Sequence, residues 1–155
     1  MLHSSGDAVM TSVRLESISS DLSDLTQALS LSGLPTEDIT EPLRRFFRAV
    51  GPDGNTVGYS GVEQCGEDAL LRSLVVLPGC QGKSFGRMIV VETLRSAPVA
   101  GTVYLATTTA APFFSKFGID VVDRVEVPSA VLATRQLSGI CPASATIMKL
   151  NKPPT

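Results

Sequence analysis

Gln81-Gly82-Lys83-Ser84-Phe85-Gly86 joins a strand-like apolar run, Leu70 to Leu77, to an amphipathic run, Phe85 to Leu94. A glycine-bearing turn that opens a helix points several unpaired backbone N–H groups at one place, with the positive end of the helix dipole behind them. This join therefore reads as a phosphate cradle.

A Walker A loop needs Gly-x-x-x-x-Gly-Lys-Ser/Thr, and Gly82-Lys83-Ser84 supplies its end. Its leading glycine would stand at Leu77, and without a glycine there the tight turn is not available. The next strand-like run, Thr102 to Ala106, leads into Thr107-Thr108-Thr109 rather than into an Mg²⁺-binding carboxylate. Nucleotide hydrolysis of that type is therefore disfavoured.

Working outward, Val13 to Ile18 alternates apolar and polar residues as a first strand. Ser20, with Asp21, Ser23 and Asp24 behind it, predicts an N-cap and acidic first turn for a helix through Leu31, closed by Gly33. Leu43 to Val50 and Thr56 to Gln64 are strand-like and joined by the hairpin punctuation Gly51-Pro52-Asp53-Gly54-Asn55. Ala69 to Leu77 makes a third strand of that meander. After the turn, a helix from Ser84 to Arg95 is expected to bury Phe85, Met88, Ile89 and Leu94 and to expose Arg87, Glu92 and Arg95. Thr102 to Ala106, a short helix Ala111 to Phe117 and the strands Ile119 to Val127 and Ala145 to Leu150 complete the order, with an excursion from Pro128 to Pro142 that is partly helical. Periodicity alone gives an α/β chain with a mixed sheet.

The hexapeptide resembles the pyrophosphate loop of the GNAT N-acetyltransferases, Gln/Arg-x-x-Gly-x-Gly/Ala, matching at Gln81 and Gly86 and placing Ser84 at the middle glycine. Leu71 to Pro78 is similar to that family's fourth strand. Ala110 to Ile119 is similar to its late Ala-x-x-Phe-Tyr-x-Lys-x-Gly-Phe helix, with Phe114 at the tyrosine. Ala133 to Ala145 resembles the C-terminal signature of a narrower subgroup associated with arsenic resistance. The resemblance spans about Arg14 to Leu150 and implies a GNAT fold: a mixed, mostly antiparallel sheet of six to seven strands flanked by helices.

It also implies a function: transfer of acetyl from acetyl-CoA to the amine of a small polar molecule, with a possible connection to arsenical resistance. Coenzyme A would be held by the backbone of Leu74, Val75 and Val76, by Gln81, Gly82, Lys83, Ser84, Phe85, Gly86 and Arg87, and by Phe114 and Lys116. For Leu74, Val75 and Val76 a buried strand core is compatible with that role, because one uses side chains and the other backbone. Lys83, Arg87, Arg44, Arg45 and Arg48 are candidates for a basic patch over an anionic cofactor.

The proton carriers are open. Phe114 removes the family's usual acid, leaving Tyr104 or Tyr59, while Phe113 and Phe114 also read as packing residues. Glu63 is a candidate base or a solvated carboxylate at a strand end. Arg72 and Ser73 are polar in an apolar strand and, by alternation, face opposite sides. Ser73 is a candidate catalytic residue. Arg72 either receives a substrate carboxylate, phosphonate or arsonate or pairs internally with an acid such as Glu63. Thr107, Thr108 and Arg135 are further substrate-binding candidates, with helix capping as the plainer role for the threonines. A GNAT-fold protein that holds coenzyme A or an arsenical without turnover is the competing class.

Length and composition are compatible with this. The 155 residues carry 43% hydrophobic side chains and a net charge of -2, which suits one domain and argues against a nucleic-acid surface or polybasic membrane anchor. Residues 12–150 are expected to form that domain, between poorly ordered ends at 1–11 and 151–155. No run approaches a membrane span, and Met1 to Met10 lacks a secretory layout, so a cytoplasmic protein, monomeric or homodimeric, is expected. Cys65, Cys80 and Cys141 show no C-x-x-C spacing, which gives no disulfide framework and no metal site. Small buried thiols are the expected case, and a thiolate site for trivalent arsenic would need them to converge.

Overall fold

Alternating apolar and polar residues become strands here, and 3.6-residue periodicity becomes helices. The computed structural model describes residues 12–34, 36–82, 84–96, 100–107, 110–116, 118–134 and 145–150. In chain order these form β1 (Arg14–Ile18), α1 (Ser23–Leu31), β2 (Arg44–Val50), β3 (Thr56–Cys65), β4 (Asp68–Val76), α2 (Phe85–Ser96), β5 (Val103–Thr107), α3 (Ala111–Ser115), β6 (Ile119–Val121), a 3-10 turn (Arg124–Glu126), α4 (Ser129–Leu132) and β7 (Thr146–Leu150).

The strands make a seven-stranded sheet in the order β1-β2-β3-β4-β5-β7-β6. It is mixed and mostly antiparallel, as the sequence led us to expect. β1 pairs antiparallel with β2, placing Arg14 opposite Val50 and Ile18 opposite Phe46. The short joins from β2 to β3 and from β3 to β4 suit antiparallel neighbours only, whereas β4 and β5 run parallel and are connected through α2. β7 then pairs antiparallel with both β5 and β6.

The described residues fall into two compact units. One draws on Met1–Thr36, Arg45–Gly61 and Ser73–Pro98; the other draws on Glu37–Arg44, Val62–Arg72 and Val99–Thr155. In the first, Ala49, Val57, Phe85 and Ile89 form a buried cluster backed by Val13, Leu15, Leu74, Val76, Cys80 and Met88. In the second, Cys65, Leu70, Tyr104, Val127, Val131 and Ile147 pack together with Ala106, Val122 and Leu132. The termini expected at 1–11 and 151–155 lie outside the described residues.

Local chemistry moved several boundaries. α1 begins at Ser23 rather than just after Ser20, because the Asp21 carboxylate accepts hydrogen bonds from the Ser23 backbone N–H (3.0 Å) and hydroxyl (2.6 Å). Its end follows the expectation: Gly33, at φ +71°, and Leu34 donate back to Ser30 and Leu29 in a Schellman closure. α2 buries Phe85 and Ile89, but it is Val90 and Thr93, not Met88 and Leu94, that complete its fully buried face. Thr93 is accommodated because its hydroxyl donates to the Ile89 carbonyl and shares a 2.6 Å hydrogen bond with Ser60. The strand expected over Ile119 to Val127 stops at Val121. Backbone hydrogen bonds from Glu126 to Asp123 and from Val127 to Arg124 wind the chain into the 3-10 turn, leaving Val125 exposed and Val127 buried.

Gly58 is the tightest approach in the first unit. A Cβ there would collide with the Val75 carbonyl oxygen and lie 2.9 Å from Ile89 Cδ1. A carbonyl of the neighbouring strand has nowhere to retreat, so Gly58→Ala is expected to cost about 1–3 kcal/mol, read as a lowered midpoint in urea unfolding with an unchanged m-value. A midpoint equal to the parent's would contradict the packing described.

Candidate functional site

The turn after β4 is shaped by backbone that departs from ordinary dihedrals. Leu77 N–H donates to the Val57 carbonyl (2.8 Å), and Cys80 N–H then donates to the Leu77 carbonyl (2.9 Å), folding the chain over. Gly82 follows at φ +80° and Ser84 at φ +65°. Ser84 therefore occupies the middle-glycine position in a left-handed conformation that costs a non-glycine residue about 1–2 kcal/mol. The Gln81 side-chain amide donates to the Val76 carbonyl at 3.1 Å, pinning the turn to the end of its strand.

The first helical hydrogen bond of α2 runs from Met88 N–H to the Ser84 carbonyl, so the Phe85, Gly86 and Arg87 amides belong to the first turn and have no intrahelical acceptor. These donors, with the helix dipole and the exposed Arg87 side chain, match the needs of a diphosphate. Phe85 is buried beneath them as the anchor. On β4, Val75 is buried and Leu74 and Val76 are half-buried against the first unit's core. Lys83 lies outside the described residues.

Ser73, half-buried, adopts φ +58°. This interrupts the strict alternation expected along β4, so the orientation of Arg72 and Ser73 does not follow from a regular pleat.

Arg72 is the centre of the most strongly charged cluster among the described residues. Its Nη1 and Nη2 donate to the two Asp38 carboxylate oxygens at 2.6 Å each, and Nη1 also donates to Glu63 Oε1 at 3.2 Å. Arg44 donates to Asp38 Oδ2 through Nε (3.2 Å) and Nη2 (3.0 Å), to the Pro42 carbonyl through Nη1, and lies 3.3 Å from Glu63 Oε2. The Arg72 and Asp38 side chains are fully buried, and those of Arg44 and Glu63 are 7% exposed. Arg72 is thus held in an internal ion cluster and is not an open receptor for a substrate anion. Nor is Glu63 a solvated strand-end carboxylate.

The two acids respond oppositely to this environment. Burial opposes ionisation of Asp38, but hydrogen bonds and charge from Arg72, and then Arg44, outweigh it and hold the carboxyl below its ordinary range. For Glu63 burial dominates: the pull of Arg44 and Arg72 is smaller, Asp38 adds repulsion, and the carboxyl is pushed up. Asp38 escaped the sequence reading altogether. The available signal was two arginines in predicted strands, each needing an anion.

Also in the second unit, Tyr104 is buried and its hydroxyl is pushed up by burial and by Asp68, with a Thr102 hydrogen bond working the other way. In the first, Tyr59 is likewise buried and raised, by desolvation and Asp24, against the pull of Arg48. Thr107 accepts a hydrogen bond from the Ala110 N–H at 2.9 Å, a turn-closing role just ahead of α3. Phe114 is buried and meets Phe113 edge to face at 5.0 Å between ring centres, while Lys116 is exposed. Cys65 is buried, and desolvation, then Glu63 and Asp68, raise its thiol to about 11, so it is not a reactive thiolate. Cys80 is half-buried and not disulfide-bonded. Thr108, Arg135 and Cys141 lie outside the described residues. Among the described residues no helix is long and apolar enough to cross a membrane.

Two stability outcomes follow. Asp38→Ala would strand two buried guanidinium groups and is expected to cost about 3–5 kcal/mol, whereas Glu63→Gln keeps an acceptor for Arg72 and is expected to change stability far less. Equal losses in chemical denaturation would contradict the cluster's ranking. At the turn, Ser84→Gly is expected to preserve or raise the melting temperature and Ser84→Val to lower it, since a β-branched residue is strongly disfavoured at positive φ.

No protein-family model matches the chain, and no curated protein matches it in sequence. Solved structures do match. A GNAT-family acetyltransferase from Staphylococcus aureus Mu50 superposes with a TM-score of 0.65 at 15% identity, over 89% of this chain and 98% of that one. A spermidine N-acetyltransferase from Vibrio cholerae gives a TM-score of 0.60 at 15% identity, over 90% and 93%. N-acetylglutamate synthase from Neisseria gonorrhoeae, complexed with coenzyme A and N-acetyl-glutamate, gives 0.67 at 16% identity over 90% of this chain and 35% of that longer one. The chain has the GNAT fold.

Proposed function

We propose that this chain is an acetyl-CoA-dependent N-acetyltransferase acting on the amine of a small polar molecule. The observation that carries the reading is the turn from Gln81 to α2: two residues at positive φ, a glutamine tethered to the strand end, and a helix of twelve residues opening directly behind them. Such a turn is suited to a diphosphate, and the fold is shared with acetyltransferases, one of them complexed with coenzyme A.

Coenzyme A, when bound, supplies the acetyl group as a thioester. In this reading the Phe85, Gly86 and Arg87 amides hold its diphosphate, together with Gly82, Lys83 and Ser84. Gln81 keeps the turn in place, and the backbone of Leu74, Val75 and Val76 aligns the pantetheine arm. Catalysis would then be chiefly positioning. Of the candidate proton carriers, Glu63 is engaged with two arginines, Tyr104 is buried, and Ser73 sits at the irregular point of β4. An amine that reaches the site already deprotonated needs no base to activate it, and the proton it sheds as the amide forms would pass to the departing thiolate through water. We place the protein in the cytoplasm.

A second reading has its own observation. Phe114 is buried and carries no hydroxyl to protonate a departing thiolate, which favours a protein that holds coenzyme A, or an arsenical, without turnover. The arsenical connection rests on the C-terminal resemblance; the saturated pairing of Arg72 removes one route by which an arsonate would be received.

Thermal shift with acetyl-CoA, coenzyme A and ATP tests the cradle. Either coenzyme at roughly a hundredfold its Kd should stabilise by about 2.7 kcal/mol, and Gln81→Ala combined with Gly86→Val should remove that shift. Stabilisation by ATP alone would refute the proposal. Release of free thiol across amino acids, polyamines, aminoglycosides and amino-acid-like arsenicals then separates the readings: turnover with any amine supports the transferase, and silence despite tight coenzyme binding supports the holder.

A further inference from the structure

Glu16, Arg48 and Tyr59 stand in one row across β1, β2 and β3 of the first unit. Glu16 is the registered partner of Arg48. Gly61 lies against the Phe46 ring, so two residues further along the β2–β3 hairpin Arg48 and Tyr59 are cross-strand neighbours. Both point to the sheet face away from α2, because Ala49 clusters with Ile89 of that helix and Gly58 abuts it.

The row has unused hydrogen-bonding capacity, and at Arg48 and Tyr59 it is donor capacity. Arg48 commits Nε (3.2 Å) and Nη2 (2.8 Å) to one Glu16 oxygen, while Arg14 holds the other. Nη1 and the second Nη2 hydrogen bond no other described residue, which leaves the end of the guanidinium fork open on a side chain 43% exposed. Tyr59 is 5% exposed, and its hydroxyl also bonds no described residue. Among the described residues no fully buried side-chain oxygen lacks a partner; the Tyr59 ring is therefore buried while its hydroxyl oxygen reaches the surface. Asp24, in the first turn of α1, and Arg48 are the charges that bear on that hydroxyl. Burial and Asp24 keep it protonated at neutral pH, so it offers a hydrogen.

We propose that Arg48 and Tyr59 receive a carboxylate carried by the acceptor, so that the amine acetylated belongs to an amino acid. The assignment rests on the acetyl-transfer reading above. An open guanidinium fork takes the two oxygens of a planar carboxylate, and the phenol adds a third donor to one of them. The Glu16 pair holds the Arg48 fork in place for that contact. The row also runs toward the coenzyme. Leu77 N–H bonds the Val57 carbonyl, which brings β4 alongside Tyr59 at the level of Val75, within the stretch assigned to the pantetheine arm. Neighbouring strands lie about 4.8 Å apart, so an amine a few bonds from a carboxylate over Tyr59 stands over β4.

Binding is read first, from the backbone amide shifts of Arg48 and Tyr59, as L-alanine, L-methionine and L-glutamate, each beside its α-carboxamide, are titrated with and without coenzyme A. At least one carboxylate form should give saturable shifts and bind about tenfold or more tighter than its carboxamide. Tyr59→Phe and Arg48→Lys should each erase most of that preference. Tyr59→Phe should leave the melting temperature of the free protein unchanged or raised, since its hydroxyl has no protein partner to lose, whereas a structural hydroxyl would lower it. With acetyl-CoA and thiol release as the readout, both variants should raise KM for the carboxylate amine and leave KM for acetyl-CoA unchanged. The proposal is overturned by the absence of saturable shifts, by equal binding of carboxylate and carboxamide, or by variants that keep the parent's preference. Saturable, variant-sensitive binding without thiol release upholds the carboxylate receptor and counts against the transferase reading instead.

Discussion

The pair of 2.6 Å hydrogen bonds between Arg72 and Asp38 is the constraint around which the ion cluster of the second unit is built. It places a fully buried guanidinium inside a β-strand, a position tenable only when planar acceptors meet its fork. Asp38 and Glu63 supply them, and the neighbouring chain is drawn into the same cluster. Arg44 enters to share Asp38, Glu63 turns inward on β3, and Glu37–Arg44 is drawn down without a regular element of its own. The set is neutral across its four core members, two arginines against two acids. Neutrality of that kind is what makes such burial tolerable, although it adds less stability than an apolar core of the same volume would.

The first unit is governed by backbone rather than by charge. Gly58 lets the β4 backbone and Ile89 come close, Ser60 and Thr93 satisfy each other's hydroxyls, and the chain leaves β4 through residues at positive φ. A turn of this sort presents peptide groups, and their placement depends on where the chain is forced to go and little on which side chains it carries. Ser84 illustrates the point: a serine in a glycine's conformation preserves the path of the loop while storing strain in it.

What the sequence revealed and what it hid divide along the same line. The hairpin at Gly51-Pro52-Asp53-Gly54-Asn55, the meander β2 to β4 and the helix behind Gln81 were readable because each is written in neighbouring residues. Asp38 was not, since its partners lie six residues away at Arg44 and thirty-four away at Arg72, and a single acid in an aperiodic stretch looks like any solvated one. Ser73 gave no sign of positive φ, and Ser84 gave one only through its place at the loop motif's middle glycine. The end of β6 was misjudged for a similar reason: valines at 121, 122, 125 and 127 suggest a strand, and only the backbone hydrogen bonds at Asp123 and Arg124 turn it.

The parallel register of Ala69 with Val103 and Leu70 with Tyr104 has a kinetic meaning. β2, β3 and β4 close through short loops, on the timescale of hairpins. The β4–β5 junction instead brings together segments thirty-four residues apart, the separation spanned by the Asp68 to Thr102 hydrogen bond, and carries the larger loop-closure entropy. The hydrogen bonds from Thr102 and Gly101 to Asp68 and Glu67 clasp that junction at its first residues. A newly made chain would therefore hold its meander, with the edge of β4 unpaired, before β5 has a sheet to join.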